Sequence, residues 1–108
     1  MRKLFTQKEV IKVALLLGIK SFTRGNIWYW EKARVFSKPY SAIAGGVAWY
    51  KRQDVILSLM NVQSRLVASK KFKQEDMSSW EDIQRILDIV ASEGSQVTKQ
   101  LKQLKKQL

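Results

Sequence analysis

The chain has no cysteine, no histidine, one proline and five glycines in 108 residues. Without cysteine there is no disulfide, no thiolate metal site, no iron–sulfur cluster and no cysteine redox sensing. Without histidine the usual neutral-pH general base and the commonest metal ligand are missing too. Carboxylates remain, but no spaced acidic pair sits in a polar, cleft-like stretch. The expectation is a protein that is not an enzyme and holds no metal or other cofactor. Scarce proline and glycine favour helix over a loop-rich fold. Long hydrophobic runs are absent as well. The apolar stretch from Val13 to Ile19 is short, is bracketed by Lys12 and Lys20, and is followed by no small-x-small cleavage site. These absences predict a cytoplasmic protein that does not span a membrane.

Acidic residues are the other shortage. Twenty Lys+Arg stand against nine Asp+Glu, for a net charge of +11 and a pI near 10.1. Such an excess asks for an anionic partner, either nucleic acid or an anionic membrane surface. The excess is unevenly placed. Residues 1–74 carry 15 cations and 3 acids, whereas residues 75–108 carry 5 and 6. An anion-binding unit at 1–74 is therefore expected to precede a neutral helical extension at 75–108.

Within 1–74 the pattern is helix, turn, helix, hairpin, helix. Thr6 with Glu9 three residues on is a capping-box signal, and Val10, Val13, Ala14 and Leu17 fall on one helical face. Gly18 is placed to end that helix. A second helix is expected from about Gly25 to Arg34, closed by the "SKP" at 37–39. "YSAIAGGVAWY" (40–50) reads as a hairpin turning at Gly45-Gly46, with Tyr40 and Ile43 before and Val47, Trp49 and Tyr50 after. From Lys51 a third helix stripes Val55, Leu59, Val62 and Leu66. The basic loop "SKKFK" (69–73) follows, then a fourth helix from about Ser78 to Glu93, with Ser79 and Asp82 as a weaker cap.

The last third has a four-and-three rhythm: Ile83, Leu87, Val90, Gly94, Val97, Leu101, Leu104 and Leu108. This is a coiled-coil seam with a glycine at one position. Gly94, beside Ser92 and Ser95, is expected to divide two helices. A helix from about Gln96 is too short to stand alone in water, so Val97, Leu101, Leu104 and Leu108 need a partner. That partner is a second copy of the chain, giving a homodimer, or this chain's own third helix.

The order predicts a mainly α fold: a winged helix-turn-helix with a small β-hairpin wing, then helices including a short C-terminal dimerisation helix. "YWEKARVF", "KP" and "GGVAWYKRQDVILSL" together resemble the DNA-binding domain of MerR-type transcription regulators. Tyr29-Trp30-Glu31, Val35-Phe36, Pro39, Gly46, Tyr50 and Asp54-Val55 carry the likeness, and "SSWEDIQRILDI" (78–89) is similar to that family's next helix. The resemblance implies a dimeric DNA-binding regulator with two wings and a recognition helix. Three departures stand beside it. The loop between the first two helices is long, Trp28 stands where the family often has arginine, and Ala48 replaces an arginine of the wing. The sensing cysteines are absent too, so the implied regulator has no built-in sensor.

Several side chains are candidates for the interface, each with a plainer alternative. Trp30 and Ile27 read as core against Val13 and Leu17. Tyr29 can bond a phosphate and lay its ring along a sugar, or sit half-buried under the wing. Trp28 can touch a thymine methyl or sugar edge, or pack with Phe22 under the loop. Arg24 and Asn26 suit base edges, guanine and adenine respectively, or serve as loop and cap residues. Lys32 lies on the same face as Tyr29. Lys38, Tyr40, Ser41, Lys51 and Arg52 are phosphate-contact candidates in the wing, unless they only meet solvent. Lys51-Arg52 opposes the helix dipole and so needs a reason. Lys70, Lys71 and Lys73 form a second basic loop, a phosphate clamp or a solvated run.

The favoured reading is a dimeric regulator binding an inverted-repeat site on double-stranded DNA, with nucleoid association. Two readings compete with it: an architectural factor for excision, recombination or plasmid segregation, and a helix-turn-helix scaffold reused to bind another protein. A peripheral membrane protein is a weaker third, since the first helix offers only a few lysines.

Overall fold

The structure, a computed structural model, describes residues 2–41 and 47–107, the stretch from Gly94 onward by its backbone alone. The fold is mainly helical with one small antiparallel sheet. In chain order the elements are β1 (Leu4–Thr6), α1 (Gln7–Leu16), α2 (Arg24–Lys32), β2 (Trp49–Lys51), α3 (Arg52–Ala68) and α4 (Trp80–Gln107). A single 3-10 turn, Gln74–Asp76, lies between α3 and α4.

The first helix starts as its sequence dictates. The Thr6 hydroxyl accepts the Glu9 N–H at 3.2 Å, and the Glu9 carboxylate accepts the Thr6 N–H at 2.9 Å. Burial alone would raise the Glu9 carboxyl, but the Arg2 guanidinium and the Thr6 donors outweigh it and hold the group below its usual range. The inward face buries Val10, Val13 and Ala14. Gly18, at φ +87°, then ends the helix as expected. Its N–H bonds to Leu15 O at 3.0 Å, and the Ile19 N–H to Ala14 O at 3.1 Å. This paired closure satisfies two of the carbonyls a helix end leaves open.

The second helix repeats both devices with different residues. Thr23 caps it, one residue earlier than its apolar pattern suggests. Its hydroxyl accepts the Asn26 N–H at 3.4 Å, while Asn26 Oδ1 accepts the Thr23 N–H at 2.9 Å. At the far end the Arg34 N–H reaches Glu31 O at 3.0 Å and the Val35 N–H reaches Trp30 O at 2.9 Å. The left-handed residue here is Arg34, at φ +60°. The third helix closes in the same way through Lys70, at φ +58°, with the Lys71 N–H on Leu66 O at 2.8 Å. For an L-residue that conformation costs about 1–2 kcal/mol, which glycine avoids.

The sheet departs from the expected hairpin. Its ladder pairs Leu4 with Lys51, Phe5 with Tyr50 and Thr6 with Trp49. Residue 40 onward contributes one bridge, Ser41 to Trp49, with Trp49 N–H on Ser41 O at 2.8 Å. Trp49 and Tyr50 thus lie on a strand as predicted, with its longer ladder to the chain's start. The proposed turn, with Ile43 and Gly45-Gly46, lies outside the described residues.

One cluster of buried side chains fills the interior, drawing on Phe5, α1, α2, Val35, Phe36, Tyr50, α3 and α4. The predicted stripe of α3 is buried at Val55, Leu59 and Val62 and partly buried at Leu66. Phe36 meets Tyr50 edge-on, ring centroids 5.8 Å apart. Two buried polar side chains of α3 are matched by hydrogen bonds. Gln63 is fully buried, giving its Nε2 to Ser78 Oγ at 3.3 Å and accepting the Ser78 N–H at 3.0 Å. That pair fixes the link between α3 and α4, and Ser58 likewise receives the Ser37 N–H at 2.9 Å.

The fourth helix starts with the expected Ser79–Asp82 cap, the Asp82 N–H reaching Ser79 Oγ at 3.2 Å. It then corrects the expectation of a break at Gly94, running as one helix from Trp80 to Gln107. A helix-interior glycine costs only about 1 kcal/mol against alanine, too little to stop a helix by itself. The front of the seam also proves internal. Ile83, Leu87 and Val90 are buried in the shared core, and a Lys12–Glu93 ion pair at 2.6 Å ties α1 to α4. The proposed dimer residues Val97, Leu101, Leu104 and Leu108 lie outside the described side chains. Among the described residues no helix is long and apolar enough to cross a membrane.

Candidate nucleic-acid interface

The second helix divides its side chains sharply. Ile27 is buried and Trp30 packs half-buried against the core beside it. One residue to either side, the pattern reverses: Trp28 is 60% exposed and Tyr29 59%. Exposed aromatics of this size are costly to leave in water without a use. Trp28 stays in solvent, whereas Phe22 is buried in the core with its ring centroid 6.5 Å from that of Phe36. Tyr29 is likewise not half-buried under the wing. It stands edge-on against Trp30, ring centroids 5.1 Å apart.

The Lys32 ammonium lies 4.0 Å from the centroid of the Trp28 ring, one helical turn along. Trp28, Glu31, Lys32, Arg34 and Lys38 line a shallow hollow of about 330 Å³. Three cations and one indole thus meet at the C-terminal end of α2, with Glu31 the single acid. Lys38 joins them because Val35 and Phe36 are buried, which turns the chain back along the helix end.

A second cation–aromatic pair sits by the sheet. The Lys51 ammonium is 4.7 Å from the centroid of the exposed Tyr40 ring. Lys3, Trp80 and Gln84 extend that pair into a groove of about 710 Å³. Ser41 is held at its edge by the bridge to Trp49.

The two residues expected to read base edges are engaged within the chain. Asn26 is the third residue of α2 rather than its cap, and its carbonyl oxygen serves the capping box. Arg24 Nε donates to Gln7 Oε1 at 3.0 Å, and Gln7 Nε2 in turn donates to the Tyr50 hydroxyl at 3.3 Å. Arg24 with Gln7, Lys8, Val47 and Ala48 lines a further hollow of about 470 Å³, between the start of α1 and the segment before β2.

Arg52 must be removed from the phosphate contacts. It is only 7% exposed, donates from Nε to Arg2 O at 2.9 Å, and pairs with Asp88 of α4. This supplies the reason for a cation at the start of α3: the ion pair ties α3 to α4, and the Nε bond holds the segment just before β1. Its neighbour Lys51 is exposed, with no side-chain cap bond of its own.

In the basic loop, Phe72 acts as an anchor. It packs against the core opposite Gly18, where a Cβ would come within 3.9 Å of its ring. Lys70, Lys71 and Lys73 around it are all exposed. The candidate residues thus fall into three settings. Trp28, Lys32 and Lys38 converge, Tyr40 and Lys51 converge, and the loop lysines form their own cluster on a fixed hydrophobic pin.

Arg34 is the residue that pattern reading missed. In the sequence it stands only as the expected end of the second helix, whereas its left-handed backbone lies past that helix and its side chain lines the hollow. No sequence signal marks it, because the left-handed backbone at Arg34 is visible only in the structure. No cluster of three or more carboxylates that could hold a metal occurs among the described residues. Comparison with protein-family models, with curated proteins and with solved structures finds no match for this chain.

Proposed function

We propose that this protein binds double-stranded DNA as a MerR-like winged helix-turn-helix protein, with α2 presented to the duplex and the 40–51 segment as wing. The observation that carries the reading is the outward face of α2. Trp28, Tyr29 and Lys32 are solvent-exposed on a helix whose opposite face is core, in a chain of charge +11. Exposed rings beside ammonium groups suit a sugar-phosphate backbone, the ring lying along the sugar and the cation on the phosphate. The pinned loop lysines Lys70, Lys71 and Lys73 would grip a second stretch of backbone. Dimerisation through the end of α4 would present two such units to an inverted repeat.

Duplex binding by Tyr29→Ala and by a Lys70/Lys71/Lys73 triple-alanine variant tests this reading. Each is expected to weaken binding at least tenfold, the triple variant with a shallower salt dependence. Undetectable binding of the unaltered protein to any duplex at low salt would rule the reading out.

One observation favours the architectural form of this function over promoter reading. Arg24 and Asn26, the guanidinium and amide of α2, are both hydrogen-bonded inside the chain. The remaining candidates would address the sugar-phosphate backbone, which carries no sequence information directly. Selection from random duplexes distinguishes the two: a weak consensus supports the architectural role, a sharp one the regulator.

A further inference from the structure

The structure closes three helices with one hydrogen-bond pattern and fills the left-handed position differently each time. At the end of α1 the residue is Gly18, at φ +87°. At the ends of α2 and α3 it is Arg34 at +60° and Lys70 at +58°. In all three the left-handed residue donates to the carbonyl three positions back. The next residue donates to the carbonyl five back, at 3.1, 2.9 and 2.8 Å respectively. Glycine is the residue this position favours, because a Cβ there crowds the following carbonyl oxygen. A cation does gain from the negative end of the helix dipole, but that gain is small and salt-screened for an exposed side chain.

Both cations lie within the proposed interface. Arg34 shares its hollow with Trp28, Lys32 and Lys38. Lys70 heads the exposed trio of the basic loop, beside the Phe72 anchor. Both are exposed. The tight turn fixes the backbone from which each side chain leaves, so each cation starts from a defined point rather than a mobile loop.

We propose that Arg34 and Lys70 are phosphodiester-binding residues, kept at these helix ends for anion contact where glycine would make the fold more stable. Arg34 suits a phosphate especially, since its planar fork can bond two oxygens at once. The inference rests on the duplex-binding reading above and adds Arg34 to it.

Arg34→Gly and Lys70→Gly test it, because stability and binding should move in opposite directions. Each variant is expected to melt about 4 °C higher than the unaltered protein. Each should also bind a mixed-sequence duplex roughly tenfold more weakly, with a salt slope shallower by about one. Arg85→Ala, which removes one charge from the exposed face of α4, is the control and should leave affinity within about twofold. Glycine variants that bind as the unaltered protein does, or lose no more than Arg85→Ala, overturn the proposal. So does a lowered melting temperature, which would make the two cations ordinary stabilising caps. Binding of the unaltered protein at low salt is measured first. Its absence defeats the duplex reading and this one together, whereas its presence with unaffected glycine variants defeats only this one.

Discussion

Helices α1 and α2 are built from the same parts and spend their surfaces differently. Each opens with a threonine capping box and closes through a left-handed residue. In α1 the box uses Glu9, an acid that complements the dipole, and the closing residue is Gly18. In α2 the box uses Asn26, no acid lies in the first turn, and Arg34 closes the helix. α1 buries Val10, Val13 and Ala14, whereas α2 buries only Ile27 and leaves Trp28 and Tyr29 in solvent. The two spans carry the same net charge and α1 also exposes Leu15 and Leu16, so the contrast lies in the box residue, the closing residue and the exposed rings of α2. The comparison teaches that local stability rules specify both helices, and that the departures from the most stabilising choice fall on the helix we propose to face an anion.

The sharpest way to break this comparison is across a single peptide bond. Ile27→Ala should destabilise the fold by about 2–5 kcal/mol, as removal of a buried branched side chain does. Trp28→Ala should change stability by less than about 0.5 kcal/mol while weakening duplex binding. Denaturant unfolding reads both, and a Trp28→Ala loss comparable with that of Ile27→Ala would place the indole in the core instead.

The caps provide the next effect. Thr6→Ala and Thr23→Ala should each cost about 1 kcal/mol by urea denaturation, since both hydroxyls accept an otherwise open N–H. Equal costs would establish that the two helix starts are equivalent and that only their surfaces differ. A Thr23→Ala variant with unchanged stability would contradict the capping box.

Smaller still is Asn26→Glu, which gives α2 the acid that α1 has. The exchange keeps the capping geometry, so stability should rise by up to about 0.5 kcal/mol. If α2 meets the duplex as proposed, affinity should fall, because the acid would sit at the start of that helix. Unchanged affinity would show that the start of α2 faces away from the DNA.

The smallest expected effect is in pH. Glu9 has its carboxyl lowered in the folded protein below the ordinary 4.5. A lowered carboxyl stabilises the fold above its unfolded value, and that contribution is lost as pH falls through the folded value. Unfolding measured from pH 6 downward should therefore show a decline below about pH 4.5 that is reduced in Glu9→Gln. Asn26, the matching residue of α2, cannot titrate and contributes no such dependence.

Much of this contrast can be read in the sequence where the signal is local. Thr6 with Glu9, the stop at Gly18, the α3 stripe and the Ser79–Asp82 cap all act within a few residues, so spacing reveals them. Partnerships made at long range stay hidden. β1 has three residues, too few to display a period, and its strand pairing with residues 49–51 is a product of the fold. Arg52 looked like a phosphate ligand because its partner, Asp88, lies 36 residues away. Trp28 could not be placed from its neighbours, since whether the long 18–23 loop covers it depends on Ile19 and Phe22 turning into the core instead. Arg34 carries no such local signal, because a left-handed arginine looks like any other until the backbone is seen.

The central claim is that the cations and exposed rings around α2 meet a polyanionic duplex. Equilibrium binding of the unaltered protein to one duplex, at salt concentrations from about 50 to 300 mM, tests it most directly. With four or more cations on phosphates, log affinity should fall against log salt with a slope of roughly −4 or steeper. A flat dependence, or no binding at the lowest salt, would contradict the account.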